Sequence, residues 1–501
     1  MIKARLIRYI FALHRWVGVT LGLLMLLWCV TGVVMIWNPY PAVTRGDRDY
    51  RLEGLAPIVA PDRMVLPAIP DTAPLSSARI EMLANRPVIA LAWGEGEESA
   101  RGVYDLATAE KIDQVGEVDA LGVARTYMQR HKLGGEPTVS RLMERDEFVV
   151  AGYFNAQRPF YEIALNDPEQ TVLYVSSKTG QVAQRTTASL RVWSWLGAIP
   201  HWLYFTELRR DTPLWTQVII WTSLGGCFLT VLGLFVGIRQ FRRRHSTGRL
   251  ASPYHGAKFL HHMIGLVFGV LVLTFSLSGF ASMQPWGWLE SGPAAGEAAD
   301  RYIGKPVTWA EAKPALEAQA IALRTVSRER SLVTFTALEG RPWFVWQSAD
   351  GVRRRLDASG QPAPFDDASR QRAADLLGGQ KDAARFELMT TADEYYYPGA
   401  SSSDLPVVRV SAPAMNGTRF YLDPETGGLR FIADDGAKGF RVWHMALHTF
   451  DFVGSPIREI LLVLAMLGVT AVCGLGAWMG LKKLARGGKL DNTPQVEKPA
   501  P

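Results

Sequence analysis

Four stretches of this chain are long, apolar and free of charge: Trp16–Trp37, Leu214–Ile238, Phe259–Trp288 and Ile460–Leu481. Each exceeds the roughly 18–20 residues that a helix rising about 1.5 Å per residue needs to cross an apolar layer of about 30 Å. The expected fold is therefore an α-helical membrane protein with four transmembrane helices. The first run is too long for a signal-peptide core and passes into Trp37-Asn38-Pro39-Tyr40 with no cleavage site, so a retained anchor is expected. Basic residues orient the helices. Lys3, Arg5 and Arg8 precede the first run; Arg239, Arg242, Arg243, Arg244, Arg249 and Lys258 separate the second from the third; Lys482, Lys483, Arg486 and Lys489 follow the fourth. These clusters fall on one side, which predicts that both termini and the short central loop are cytoplasmic and that two large domains lie on the outer face of the membrane. The net charge of +6 is largely this bias, so no nucleic-acid partner is needed to explain it.

The expected organisation follows. Residues 1–37 are the N-terminus and first helix, and 38–200 a first outer domain. Residues 201–238 are a His-bearing entry segment and second helix, 239–258 a basic loop, and 259–288 the third helix. Residues 289–445 form a second outer domain, 446–481 a second His-bearing entry segment and fourth helix, and 482–501 a polar tail expected to be disordered. The three cysteines, Cys29, Cys227 and Cys473, all lie in the apolar runs, so the outer domains must stand without disulfides. Their segments read as mixed α/β. "FYEIALNDPEQTVLYVSSKTGQV" and "TRFYLDPETGGLRFI" look like strands joined by turns. "VDALGVARTYMQ" and "TWAEAKPALEAQA" carry helical periodicity, and "YYYPGASSSDLP" reads as an exposed loop.

The chain also repeats itself. "LHRWVGVTLG" near the start and "LHHMIGLVFG" midway align His14 with His261, Gly18 with Gly265, Gly22 with Gly269 and Gly32 with Gly279, without a gap. A second phrase, "RVWSWLGAIPHW" at Arg191 and "RVWHMALHTF" at Arg441, brings His201 and His448 to the mouths of the second and fourth runs. Each half thus reads helix, outer domain, His-bearing segment, helix. Both copies start on the same side, so these are parallel repeats related by an axis along the membrane normal.

Four histidines in register at membrane depth or its edge ask for a function. A lone interfacial histidine commonly bonds only headgroups or a carbonyl. Paired imidazoles in a membrane suit axial ligation of haem, and two such ligands leave the iron no open position, so the cofactor moves electrons without binding substrate. Gly18 and Gly22 align on the face of His14, and Gly265 and Gly269 on that of His261. There they make room for a flat macrocycle or serve simply as GxxxG packing. Zinc fits less well, for no cysteine or carboxylate accompanies His14 or His261 at suitable spacing. His444, four residues before His448, is a supporting group or an alternative ligand. His262 points elsewhere on its helix, and His131, His245 and His255 read as surface residues. "GLGAWMG" resembles a dinucleotide fingerprint but lies inside a span with no preceding strand. No Walker loop, Gly-x-Ser-x-Gly elbow or soluble flavin domain is evident, so electrons would come from a membrane quinol or a cytoplasmic reductase.

Taken with "IPHWLYFTELRRDTPLW", "SPYHGAKFLHHMIGLVFGVLVLTFSLSGFASM", "DEYYYP" and "TRFYLDPETG", these phrases resemble the PepSY-associated transmembrane proteins, iron-regulated inner-membrane proteins of the PiuB type, over nearly the whole chain. The resemblance implies four helices with two periplasmic α/β PepSY-like domains. It also implies, as in some members, haem-containing ferric-siderophore reductase activity, with the family's membrane histidines at His14, His201, His261 and His448. The combined expectation is an oxidoreductase with two b haems, one between His14 and His261 and one between His201 and His448, reducing a ferric siderophore in the periplasm. No general acid or nucleophile is required. Trp193, Trp195, Trp202, Trp443 and Tyr395–Tyr397 are candidate linings of that surface, and Arg209 and Arg210 candidate contacts for an anionic chelate. The rival readings are a component transporting siderophore, haem or metal, and a non-enzymatic regulator of periplasmic peptidases.

Overall fold

The computed structural model describes residues 2–43, 55, 65–84, 86–96, 99–243, 250–324, 330–348, 351–380, 384–397 and 405–485. The C-terminal tail, Arg244, His245, Arg249 and residues 398–404 of the tyrosine-led loop lie outside these. Four helices are long and apolar enough to cross a membrane: Ile2–Met35, Thr212–Gln240, Gly256–Ala281 and Ile457–Ala485. The first begins well before Trp16, because lysine and arginine are good helix formers and extend the helix past the apolar stretch. The third stops at Ala281, short of Trp288. Pro285 disfavours helical geometry at the residue before it, and Gln284 accordingly turns left-handed at φ 44°, ahead of a short turn over Pro285–Gly287. The second helix is started by Asp211, whose carboxylate accepts from the Leu214 N–H at 2.9 Å, with Pro213 in the first turn.

The first and third long helices each pack against both the second and the fourth. Their shared interior holds Met25, Cys29, Leu229, Val272, Met466, Val469 and Cys473. In lipid no water is released when helices meet, so close backbone approach must supply the attraction. Glycines provide it: a Cβ on Gly480 would overlap Val19, and one on Gly237 would overlap Leu266.

The remainder is rich in β-structure. A seven-stranded sheet runs, edge to edge, Arg353–Leu356, Arg341–Ser348, Arg330–Leu338, Leu75–Leu83, Arg86–Trp93, Ala100–Asp105 and Lys111–Ile112. Its middle is an antiparallel pairing, Arg79 with Thr334 and Ile80 with Val333, so both extramembrane portions contribute to one sheet. Ile80, Ile89, Val333 and Phe344 face a core closed by Trp309 and Leu316 of the helix Trp309–Arg324.

Two smaller antiparallel sheets have the same consecutive order. One comprises Thr138–Met143, Phe160–Ala164, Val172–Ser176 and Val182–Thr186; the other comprises Arg385–Met389, Val407–Ala412, Thr418–Leu422 and Leu429–Ala433. Each buries one face under a helix. Ala120, Ala124 and Met128 of Glu117–His131 cover Ile163, Leu173 and Val175. Ala373, Ala374 and Leu377 of Asp367–Gly378 cover Val408, Val410 and Phe420. The small alanines let helix and sheet approach closely, and the Asp366 side chain caps the second helix through the Ser369 N–H.

Candidate functional site

The chain leaves the last strand of each small sheet directly into a histidine-bearing segment. Thr187 caps the helix Ala188–Leu196, Gly197 breaks it, and a single turn, Ala198–His201, ends on His201. In the other half Asp434 caps Asp435–Phe440, a π-helical turn spans Arg441–Ala446, and Leu447–Thr449 carries His448 before Phe450 turns left-handed at φ 52°. Wider π turns inside helices are characteristic of functional positions. The two segments place His201 and His448 against each other, ring centroids 6.0 Å apart at 70°. His14 and His261 lie in the halves of the first and third helices remote from the sheets. We call them the far pair, and His201 with His448 the sheet-side pair. His14 is within electrostatic reach of His261, as His201 is of His448.

The hydrogen bonds fix the tautomer of each ring. His14 Nδ1 donates to the Leu229 carbonyl at 3.2 Å and His261 Nδ1 to the Val472 carbonyl at 3.2 Å. His201 Nδ1 donates to the Trp28 carbonyl, and the Thr31 hydroxyl oxygen lies equally close at 3.1 Å. A carbonyl only accepts, so the proton sits on Nδ1 in each case. His448 Nδ1 meets Ser278 Oγ at 2.9 Å; that hydroxyl gives its own proton to the Phe275 carbonyl, so it too accepts from the ring. All four Nε2 atoms are thereby left with a lone pair, the arrangement in which imidazole ligates metal while its other nitrogen is held by an outer partner. None of the four rings is fully buried. His262, one residue past His261, is only 7% exposed and spends both nitrogens, with Ser252 Oγ at 2.7 Å and the Gly237 carbonyl at 2.8 Å. It is a structural latch.

Reaching a helix carbonyl from the side requires an opening. The carbonyl of residue i points toward residue i+4, whose side chain would cover it. Three of the accepting carbonyls have glycine there: Leu229 is followed by Gly233, Val472 by Gly476 and Trp28 by Gly32. A Cβ on Gly233 would lie 2.7 Å from His14 Cε1, one on Gly476 3.1 Å from His261 Cε1, and one on Gly32 3.3 Å from His201 Cε1. Gly233 and Gly476, with Thr31 and Ser278, were not singled out from the sequence; Gly32 was, but only as the repeat match of Gly279. Of those that were, Gly18, Gly22 and Gly269 face Leu229, Ala477 and Leu234 of neighbouring helices, and Gly265 faces open space.

His444 joins the sheet-side pair without converging on it. Its ring lies 5.4 Å from that of His448, and its Nδ1 donates to the Ser278 carbonyl at 3.0 Å. Ser278, fully buried, thus holds both histidines. Burial keeps His201, His444 and His448 below the ordinary imidazole range, so all three are neutral at neutral pH. Arg209 is folded onto the faces of Trp215 and Tyr204, and Arg210 pairs with Glu207. Trp193, Trp195, Trp202 and Trp443 keep exposed faces, whereas Tyr396 is buried in a stack with Tyr421.

Among the described residues no group of three or more His, Cys, Asp or Glu forms a metal-binding cluster. The donors come in twos. Two imidazoles on opposite faces of one iron, each with a metal–nitrogen bond of about 2 Å and about 1 Å more to the ring centre, stand about 6 Å apart. The sheet-side rings have that spacing, and with a free Nε2 on each this pair is compatible with a bis-imidazole haem. Compared with curated proteins the chain has no match. A family model described as the PepSY-associated TM region matches residues 11–483, nearly the full length with all four histidines inside it. The chain belongs to the PepSY-associated transmembrane family.

Proposed function

We propose that this protein is a haem-dependent electron conduit of a bacterial inner membrane, reducing a ferric chelate of the siderophore class on the periplasmic side. The observation that carries the reading is the common state of the four histidines: each Nδ1–H is tied to a carbonyl or hydroxyl oxygen, and each Nε2 is left able to bind iron. Haem b held by two imidazoles supplies one-electron transfer between its ferric and ferrous states without an open coordination site. His14 with His261, and His201 with His448, are the proposed axial pairs. The carbonyls of Leu229, Val472 and Trp28 and the hydroxyls of Thr31 and Ser278 orient the rings and raise their basicity. Gly32, Gly233 and Gly476 keep the way to those carbonyls clear.

In this reading the chain is a tandem duplication, its termini cytoplasmic and its β-rich portion periplasmic. The matched sheet orders and the matched anchors Thr31 and Ser278 support the duplication. Lys3, Arg5, Arg8, Lys482 and Lys483 at the free ends of the first and fourth helices support the orientation. The electron donor is a membrane quinol or a cytoplasmic reductase.

The test is a dithionite-reduced minus oxidised spectrum of the purified full-length protein, with haem quantified per chain. Two b-type centres are expected. His14→Ala or His261→Ala should remove one and His201→Ala or His448→Ala the other, with reduction of a ferric siderophore lost in each. A colourless protein would overturn the proposal in favour of a regulator. A haem protein inert toward every ferric chelate would leave the conduit without its acceptor and favour transport.

A further inference from the structure

The two sides of the sheet-side pair differ in charge. Beside His448, Asp451 has a side chain only 3% exposed, 3.8 Å from Arg441. Tyr397 donates its hydroxyl to the other carboxylate oxygen, and Arg441 lies over the Tyr397 ring at 5.0 Å. These three residues come from three places: the loop joining the first two strands of the small sheet, the first position of the π turn, and the turn after His448. Arg441 and Asp451 flank in sequence the segment that carries His444 and His448. Among the described residues no matching Arg–Asp–Tyr contact is found beside His201. At the offset that separates His201 from His448, the position of Asp451 is held by Tyr204 and that of His444 by Gly197. Arg191, which opens the matching phrase, turns away to Thr186 and Gln170.

Resting on the conduit reading above, we propose that the Arg441–Asp451 ion pair sets the reduction potential of the sheet-side centre. It does so as an asymmetric charge built into one half only. An oxidised centre carries one more positive charge than a reduced one, so a nearby anion stabilises the oxidised form and lowers the potential, and a cation raises it. In a site of low dielectric these effects are large. Asp451 lies three residues past His448, in the turn that ends its short helix, and the ring of His444 lies against that of His448. Arg441 and the Tyr397 hydroxyl moderate the field of Asp451 without cancelling it. The far pair has no carboxylate beside it among the described contacts, so the Arg441–Asp451 pair makes the two centres unequal, lowering the potential of the sheet-side centre so that it passes its electron more readily to an external acceptor.

Two substitutions separate tuning from scaffolding, because they act with opposite sign. Asp451→Asn removes the anion and leaves Arg441 unmatched; Arg441→Gln removes the cation and leaves Asp451 unmatched. Full-length protein with its native haem is titrated spectroelectrochemically, and the sheet-side centre is identified as the one lost in His448→Ala. The midpoint of that centre should move upward in Asp451→Asn and downward in Arg441→Gln, with a smaller downward move in Tyr397→Phe. Arg441→Lys should restore the original value, and the other centre should stay fixed in every variant.

Shifts of the same sign in the Asn and Gln variants, or no shift with haem content intact, would overturn the inference. Loss of the sheet-side haem in both, not rescued by Arg441→Lys, would do the same in favour of a purely structural clamp. A wild-type protein that binds no haem would sink the parent reading and this one with it, which distinguishes the two failures.

Discussion

The far pair and the sheet-side pair use the same ring chemistry on different supports. His14 and His261 stand on long regular helices, each anchored to a carbonyl of the next helix in its own half, with a glycine backing the ring. Membrane packing alone sets their geometry. His201 and His448 stand on short irregular segments that emerge from the small sheets, and their anchors belong to the first and third helices. Their geometry therefore depends on both the bundle and the extramembrane fold. Equivalent chemistry on unequal scaffolds should fail in unequal ways, and that is where the comparison can be broken.

The largest effect is expected from the rings themselves. On the proposed ligation, replacing one histidine of a pair should remove that pair's b-type signal, so that the total falls to about half while the other centre keeps its spectrum. If one His→Ala change abolished both signals, the pairs would not be independent sites. The next largest effect separates the supports. Gly233→Ala puts a methyl 2.7 Å from His14 Cε1, and Gly476→Ala one 3.1 Å from His261 Cε1; overpacking of this kind costs about 1–3 kcal/mol. Haem at the far pair should be depleted in both variants, more in Gly233→Ala, with the sheet-side pair unaffected. Gly18→Ala, 3.6 Å from Leu229, is the control and should bind normally.

A third contrast lies within the sheet-side pair. His201 has two acceptors, the Trp28 carbonyl and the Thr31 hydroxyl, while His448 depends on the Ser278 hydroxyl. A hydrogen bond of this kind is worth about 0.5–1.5 kcal/mol. Ser278→Ala should loosen the sheet-side centre, seen as broadened or heterogeneous low-spin signals in electron paramagnetic resonance, and Thr31→Ala should do so less. Equal effects would mean that the two halves hold their rings alike.

Much of this was legible before any coordinates, for physical reasons. Hydropathy located the spans, because a helix in lipid must be apolar over its crossing length, and the matching sequence phrases marked the histidines. The helices Glu117–His131 and Trp309–Arg324 carried their periodicity openly. What stayed hidden depends on contacts distant in sequence. The shared seven-stranded sheet joins Leu75–Leu83 to Arg330–Leu338, a pairing that no local pattern encodes. Gly233 and Gly476 sit in the second and fourth helices among other glycines, and only their place one turn after an accepting carbonyl sets them apart. Thr31 and Ser278 did leave a signal, for they fall at the same offset as His14 and His261 within the aligned helices. Read beside the histidines, a hydroxyl conserved in place across the two copies would have suggested a ring partner.

The smallest effect concerns acid, and it should reach only one of the two pairs. Asp423, with a side chain 6% exposed, accepts from Arg430 at 2.7 Å and Arg353 at 2.6 Å, and from the N–H groups of Glu425 and Thr426. It lies just past the strand Thr418–Leu422, while Arg353 opens the outermost strand of the seven-stranded sheet, so the cluster ties one small sheet to the large one. Burial opposes ionisation of Asp423, but the two guanidiniums outweigh it and hold the carboxyl below its ordinary range. A depressed carboxylate contributes stability that is fully present above its unfolded value of about 4 and is lost as pH falls through the folded one. At neutral pH the tie is intact and neither centre is affected. Below about pH 4 the union of the sheets should weaken, and the sheet-side centre, which hangs from them, should lose its spectrum before the far centre does. Asp423→Asn should flatten that difference, and simultaneous loss of both centres on acidification would show that the bundle and the sheets fail together.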